Sequence, residues 1–541
     1  VTTPPSRSMT PHDSAVGLTR RSALTSGLTA GALATSAAGT ALVASSGSAD
    51  AAIRPRRFRG ARLLSASDRH LVNRFSYGVT PQLTRQVLKA GGGDRWFARQ
   101  LRPHRIRDDA AAKFLGWWPS LRRSPQELWE RQVNGVENGW DVMADYQRWL
   151  LMRRITTNRQ VAEVMVEFWM NHFNVAVHED ATFTHRFSYD AAIRKHALGK
   201  FSDLLVAAVT HPAMSIYLDN ANSTSEHPNE NLGRELLELH TVGRGNFTEK
   251  DVKNSARILT GYCVDMWNSW DSTYSAQNHW VGPVKVLGFT HANQSKDGRA
   301  VTRAYLNYLA HHPATATRIV RKLCVKFVRD EPPAALVDRL AKVYRNNDTD
   351  ISAVLRVLIQ TLAFKNSAGA KVRDPGEDVV ATYRALRPKV ARPRPNTNTG
   401  AVNEILWQTD AIGATPGAWP RPDGAPITNG AWASPARMLA SMEVHWSMSG
   451  GWWPREGITY RTPRQWLPRK RIRFDRFVDH LCQQILGRPS TAVLLKACLD
   501  ACPDERRVKP STVLTRNHPV IKWDFPRVLV TLLDSPQHLT H

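Results

Sequence analysis

Cysteine is scarce: there are five in 541 residues, at positions 263, 324, 482, 498 and 502. So few, and an odd number, argue against a disulfide-stapled scaffold, and the absence of any C-x-x-C pair removes the usual zinc signature. Cys498 and Cys502 stand one helical turn apart, close enough to bridge each other or to meet Cys482, although small buried hydrophobes is the commoner role for such thiols. Beyond the N-terminal segment no apolar run is long enough to span a bilayer. No G-x-S-x-G elbow, P-loop, dinucleotide fingerprint or H-E-x-x-H occurs, which removes the reactions those motifs serve. Acids are short relative to bases: 47 Asp+Glu against 73 Lys+Arg leaves a formal +26. That excess favours polyanionic neighbours, such as anionic cell-wall polymer, anionic lipid or nucleic acid. Most of the basic residues are scattered, as on a solvated surface, with short clusters only at RPRRFRGAR (54–62) and PRKRIRFDR (468–476). No nucleic-acid-binding motif accompanies them, so no specific nucleic-acid partner is expected.

What is present begins with export. Arg20-Arg21 precede an Ala/Gly/Ser-rich apolar segment, and SADAA (48–52) offers cleavage after Ala51. Residues 1–51 therefore read as a twin-arginine signal peptide, which places the mature chain outside the cell or on its wall. That route exports proteins already folded, often with a cofactor aboard. The remainder divides into a main helical domain (52–386), a Pro/Arg-rich linker or loop (387–400) and a C-terminal helical region packing on the main domain (401–541). Capped periodic runs recur throughout, so the fold class is mainly α: a multi-helix orthogonal bundle with long loops and one small β-hairpin, with VKVLGF (284–289) as one strand. Oligomeric state is not legible.

Two helices carry the candidate chemistry. In VAEVMVEFWMNHFNV (161–175), Glu163, Glu167, Asn171 and Asn174 share one stripe while apolar residues occupy nearly every other face, and His172 points away from that stripe. A helix apolar almost all round is buried, so its carboxylates need Arg, amide donors or a metal. In NENLGRELLELHTVG (229–243), 100° per residue sets Asn231, Arg234, Glu235 and Glu238 on one arc, with His240 roughly opposite Glu238. If the stripes face each other, Glu163, Glu167, Asn231 and Glu235 are candidate ligands for a divalent cation, although no motif names a cofactor. Glu167, Asn171, His172, Arg234, Glu235 and Glu238 are the candidate catalytic residues. The competing arrangement is a buried network in which Arg234, Arg257 or Arg186 neutralises the acids.

EFWMNHFNV (167–175), PAMSIYLDN (212–220), NENLGRELLELHTVG, FTEKDVKNSARILTGY (247–262) and HPATATRIVRKL (312–323) occur in order, and KVRDPGEDVVATYRAL (371–386) fits with them. Together they resemble a large bacterial family catalogued as domain of unknown function 1800, from about residue 63 to the C-terminus. The resemblance implies exported, largely helical proteins with no assigned activity. Family members often read F-W-H-N-H-F where this chain has Met170, which counts against a His-pair metal site and shifts weight to Asn171 and the glutamates. Two readings stay open: a metal- or acid/base-dependent enzyme acting on cell-envelope or extracellular polymer, or a non-enzymatic protein binding anionic glycopolymer of the cell wall.

Overall fold

Caps written into the sequence set many of the helix starts. Ser124, Thr248 and Asp374 each accept a hydrogen bond from the third helical N–H, while Glu127, Asp251 and Glu377 return the bond to the cap's own N–H. Proline stands at the first helical position at 313, 375, 435 and 536, where its missing N–H costs nothing. The computed structural model describes residues 53–179, 181–394 and 400–541. The twin-arginine segment read at 1–51 and the core of the expected linker, 395–399, lie outside the described residues.

Among the described residues the chain forms twenty-five α-helices and four two-stranded antiparallel sheets. No sheet is wider than two strands, so the core is built helix against helix, an orthogonal bundle with minor β content. The elements that matter below are α1 (Gly139–Thr156), α2 (Gln160–His172), α3 (Glu230–Glu235), α4 (Glu249–Leu259), the hairpin β1 (Val284–Val286) and β2 (Phe289–His291), α5 (Pro313–Phe327), α6 (Pro375–Leu386), α7 (Ala401–Ile412), α8 (Pro435–Ser449), α9 (Phe525–Leu533) and α10 (Pro536–Leu539). A π-turn at Leu236–His240 continues α3. All twelve residues of α6 are buried, against α1, α7 and α8 among others. Its polar side chains must therefore find partners inside the protein.

The hairpin differs from expectation. VKVLGF is not one strand: Leu287 and Gly288 take φ of 50° and 94° and form a two-residue turn between β1 and β2. Leucine is held in this left-handed conformation because its N–H donates to Asp251 Oδ1 at 3.0 Å, a contact from α4. Residues 52–541 cluster into one compact unit. The start of the expected linker is a short strand, Lys389–Val390, paired with Ile458–Thr459. All five cysteines are free thiols, four buried and Cys263 half-buried. Among the described residues no helix is long and apolar enough to cross a membrane.

Candidate active site

The N-terminus of α6 opens into a cleft of about 430 Å³, within the size range of small-molecule sites. Asp374 caps the helix, its Oδ1 accepting from Glu377 N at 2.8 Å, while Glu377 Oε2 accepts from Asp374 N at 3.2 Å. Lys326, from α5, donates to Glu377 Oε1 at 2.7 Å and lies 3.8 Å from Asp374 Oδ2. His541 Nε2 stands 3.6 Å from Glu377 Oε2. From α2, Glu167 projects into the same cleft, with Oε1 held by Arg154 at 2.7 Å and Oε2 accepting from the Tyr77 hydroxyl at 2.6 Å.

These contacts separate the carboxyls chemically. Burial, the Glu377 charge and the Glu167 charge push Asp374 up to about 7. Burial would also raise Glu377, but Lys326 and His541 hold it well below the usual carboxylate range. Lys326 stays charged against burial because Glu377 and Asp374 raise it. The Asp374 side chain keeps 27% exposure, so its proton can reach a ligand in the cleft.

Asn171 in α2 and Asn174, two residues past its end, build the opposite wall. Asn171 Oδ1 accepts from Ala425 N at 2.6 Å and its Nδ2 donates to Ala425 O at 2.8 Å, so the side chain pairs with the loop as a backbone amide would. Asn174 Nδ2 donates to Trp419 O and Arg421 O, both at 2.8 Å. Val177 N, Gln147 Nε2 and Lys371 Nζ hold Gly417 O, Pro416 O and Ile427 O at 2.8, 2.8 and 2.9 Å. Residues 415–428 are thus stitched down along their length; Trp419 from this segment and Trp432 join Tyr146 and Phe168 in the cleft's lining. The Trp432 indole N–H is spent on Pro426 O at 2.8 Å, which fixes its ring. Met170, where the family pattern often has His, also lines the cleft.

One turn further along α6, Asp378 enters a second, fully buried cluster with His445 (α8) and His538 (α10). One ligand atom from each lies within 4.8 Å of the others, close enough to hold one cation. The hydrogen bonds also close without one. His445 Nδ1 is 2.8 Å from Asp534 Oδ1, and its Nε2 is 3.2 Å from Asp378 Oδ1 and 3.1 Å from the Thr382 hydroxyl. Thr382 bridges on to His538 Nε2 at 3.0 Å. Arg437 and Ser441 donate to Asp378 Oδ2 at 2.9 and 2.5 Å. Burial opposes charge on His445, yet Asp378 and Asp534 raise it to about 9, while burial and the His445 charge lower His538 to about 3. An imidazolium held between two carboxylates is the result.

The remaining sequence candidates have other partners. Glu163, buried, is paired with Arg153 at 2.9 Å and Arg194 at 2.7 Å, which hold it low although burial would raise it. The arginines that neutralise the α2 stripe are therefore 153, 154 and 194. Arg234 instead reaches out to Glu249 at 2.9 and 2.5 Å, Arg257 stacks over Trp280, and Arg186 lines the cleft. Asn231 donates to Asp219 at 3.1 Å, Glu238 pairs with Arg244, and Glu235 is half-buried, raised by burial and by Glu238. Of the eight candidates, Glu167 and Asn171 line the cleft. His172 faces His240: each ring donates to the other's backbone carbonyl, at 3.2 and 3.0 Å, and Lys322 lies 2.9 Å from His172 Nδ1. The π-turn, which departs from 100° per residue, brings His240 to that contact.

Asp374, Glu377, Asp378, Lys326, Arg154, His445 and His538 were not singled out by sequence reasoning. A signal existed: DPGEDVVATY sets three acids ahead of an apolar run, the same clue of polar groups in a buried helix that marked α2. Fold and cleft together define a mainly helical protein with a ligand-sized, acid-lined site at the buried end of a central helix. The chain matches the family model described as protein of unknown function (DUF1800) over residues 70–540 and belongs to that family. No curated protein and no solved structure matches it.

Proposed function

We propose that the protein is an acid/base enzyme whose active site is the cleft at the start of α6, acting on a small polar unit of a cell-envelope or extracellular polymer. The observation that carries this reading is Asp374, a partly open carboxyl pushed up to about 7 beside two carboxylates that are each locked by cations or a hydroxyl. A group poised near neutrality can give and take a proton in turn, which is what general acid–base catalysis requires. Asp374 is the proton carrier. Glu377 and Glu167 hold the surrounding charges in place, Arg154 and Arg186 face polar or anionic substituents, and Trp419 and Trp432 offer flat apolar surface of the kind a sugar ring packs on. Export by the twin-arginine route would put this site beside such polymers.

The test has two arms. Carboxyl-labelled NMR of the purified protein reads the Asp374 titration directly, and a titration in the ordinary carboxylate range ends the proposal. Isolated cell-wall polysaccharide and chromogenic esters and glycosides then serve as substrates. Asp374→Asn is expected to lower any turnover by about 100-fold or more, with the melting temperature retained or raised. Metal analysis of the protein from its native host addresses the competing occupant of the Asp378/His445/His538 cluster: a stoichiometric divalent cation there would replace the imidazolium arrangement.

A further inference from the structure

The cations facing the groove between α4 and the β1–β2 hairpin have no acid opposite them. Lys250, Lys253 and Arg257 recur at helical spacing on one face of α4, and Lys285 points outward from the middle of β1 while Val284 and Val286 point in. With Thr290 and His291 of β2 they line an open groove of about 590 Å³ in which, among the described residues, no carboxylate takes part. The groove is braced from within, since Asn254 Nδ2 donates to Lys285 O at 3.1 Å and ties hairpin to helix.

Glu249 and Asp251 feel the charges of Lys253 and Lys250, but their hydrogen bonds go elsewhere. Glu249 takes both oxygens to Arg234, and Asp251 closes the helix cap at Thr248 and holds Leu287 N. Like charges left so close together repel, and an anionic ligand relieves that cost. Lys250 and Arg257 are about 10 Å apart along the helix, enough to meet more than one phosphate of an extended chain. Large platforms for bases are not provided: the indole beside the groove, Trp280, already carries Arg257 at 4.6 Å, and no Phe, Tyr or Trp lines the groove itself, whose one ring is His291.

We propose that this groove binds a flexible phosphodiester polymer without bases, of the poly(glycerol phosphate) type, and so attaches the protein to anionic envelope material. The assignment does not depend on the cleft. If both hold, the groove retains the polymer that the cleft acts on; if the groove fails, the cleft reading stands.

Fluorescence anisotropy of the full chain with labelled poly(glycerol phosphate) tests it. Four phosphate contacts at about −0.7 each in log–log slope predict weakening on the order of 50-fold between about 50 and 200 mM salt. Lys253→Glu with Lys285→Glu is expected to weaken binding about tenfold or more, while Arg356→Glu with Lys365→Glu, exposed residues outside the groove with the same charge change, stays within about twofold. Equal losses in the two double variants would assign binding to the overall +26 charge and overturn the groove. Tighter binding of a single-stranded oligonucleotide of equal phosphate number would overturn the occupant, and no binding at low salt would overturn both.

Discussion

A carboxyl that holds its proton near neutrality is a cost the folded protein carries. In Asp374 the folded value is raised to about 7 from an ordinary 3.8, by burial first and then by Glu377 and Glu167. The proton's contribution to stability is therefore full below about pH 4 and is lost as pH rises through about 7. Asp374→Asn keeps an oxygen for the helix cap and removes the ionisation, so its advantage in stability over wild type is expected to widen by ~1–3 kcal/mol between about pH 4 and pH 8. An advantage that does not widen would count against a raised Asp374. Glu163 shows the opposite condition, being 1% exposed and paired with two arginines. Glu163→Gln removes the charge shared by Arg153 and Arg194, of which Arg194 keeps Asp190, and is expected to cost ~1–3 kcal/mol in denaturant unfolding. Arg234→Ala, at a surface pair, should cost less than about 1 kcal/mol. The burial of Glu163 was legible, because apolar residues surround it in the sequence. Its partners were not: Arg153 and Arg194 lie in the neighbouring helices of the chain, and no periodicity within α2 records what stands across from it.

Elements explain what Asn171 in α2, and Asn174 just past its end, are for. Sequence spacing placed Asn171 and Asn174 on the same face as the glutamates, where a metal ligand and an anchor for a loop look alike. In the fold, the glutamates take arginines while the asparagines, which alone offer both donor and acceptor, take backbone from 419–425. WPRPDGAPITNGAWASPARM (419–438) was readable as loop from its Pro and Gly content, but its use as a cleft wall was not, because the anchors lie some 250 residues earlier. Asn171→Ala strands the Ala425 N–H and C=O together and is expected to cost ~1–3 kcal/mol. Limited proteolysis should then cut first within 415–428, a site resistant in the wild type, whereas the hairpin and α4 should be cut no faster. Uniform cutting over the whole chain would mean that Asn171 supports the core and not the loop.

For the molecule as a whole, the buried ionisable groups bound the pH range of stability from both sides. Glu163, Glu377 and Asp378 are each held low by cations against the burial that would raise them. Their contribution is present above the ordinary carboxylate range of about 4 and is lost as pH falls through their lower folded values. The charge of +26 adds self-repulsion as the remaining carboxylates protonate, so added salt should protect most on this acid side. On the other side, His445 is raised from 6.5 to about 9 by Asp378 and Asp534, burial opposing. Its stabilisation is complete below about 6.5 and disappears as pH rises through about 9, and Asp374 declines in the same direction earlier, through about 7. The melting temperature should therefore peak near pH 4–5 and fall on the alkaline side in two stages, from about 4 to 7 as Asp374 titrates and from about 6.5 to 9 as His445 does. Asp374→Asn should remove the first step and His445→Gln the second, each leaving the other in place. A wild-type curve that still rises between about pH 7 and 9 would mean that His445 is neutral in the folded protein, and with it that Asp378, His445 and His538 are not organised around an imidazolium.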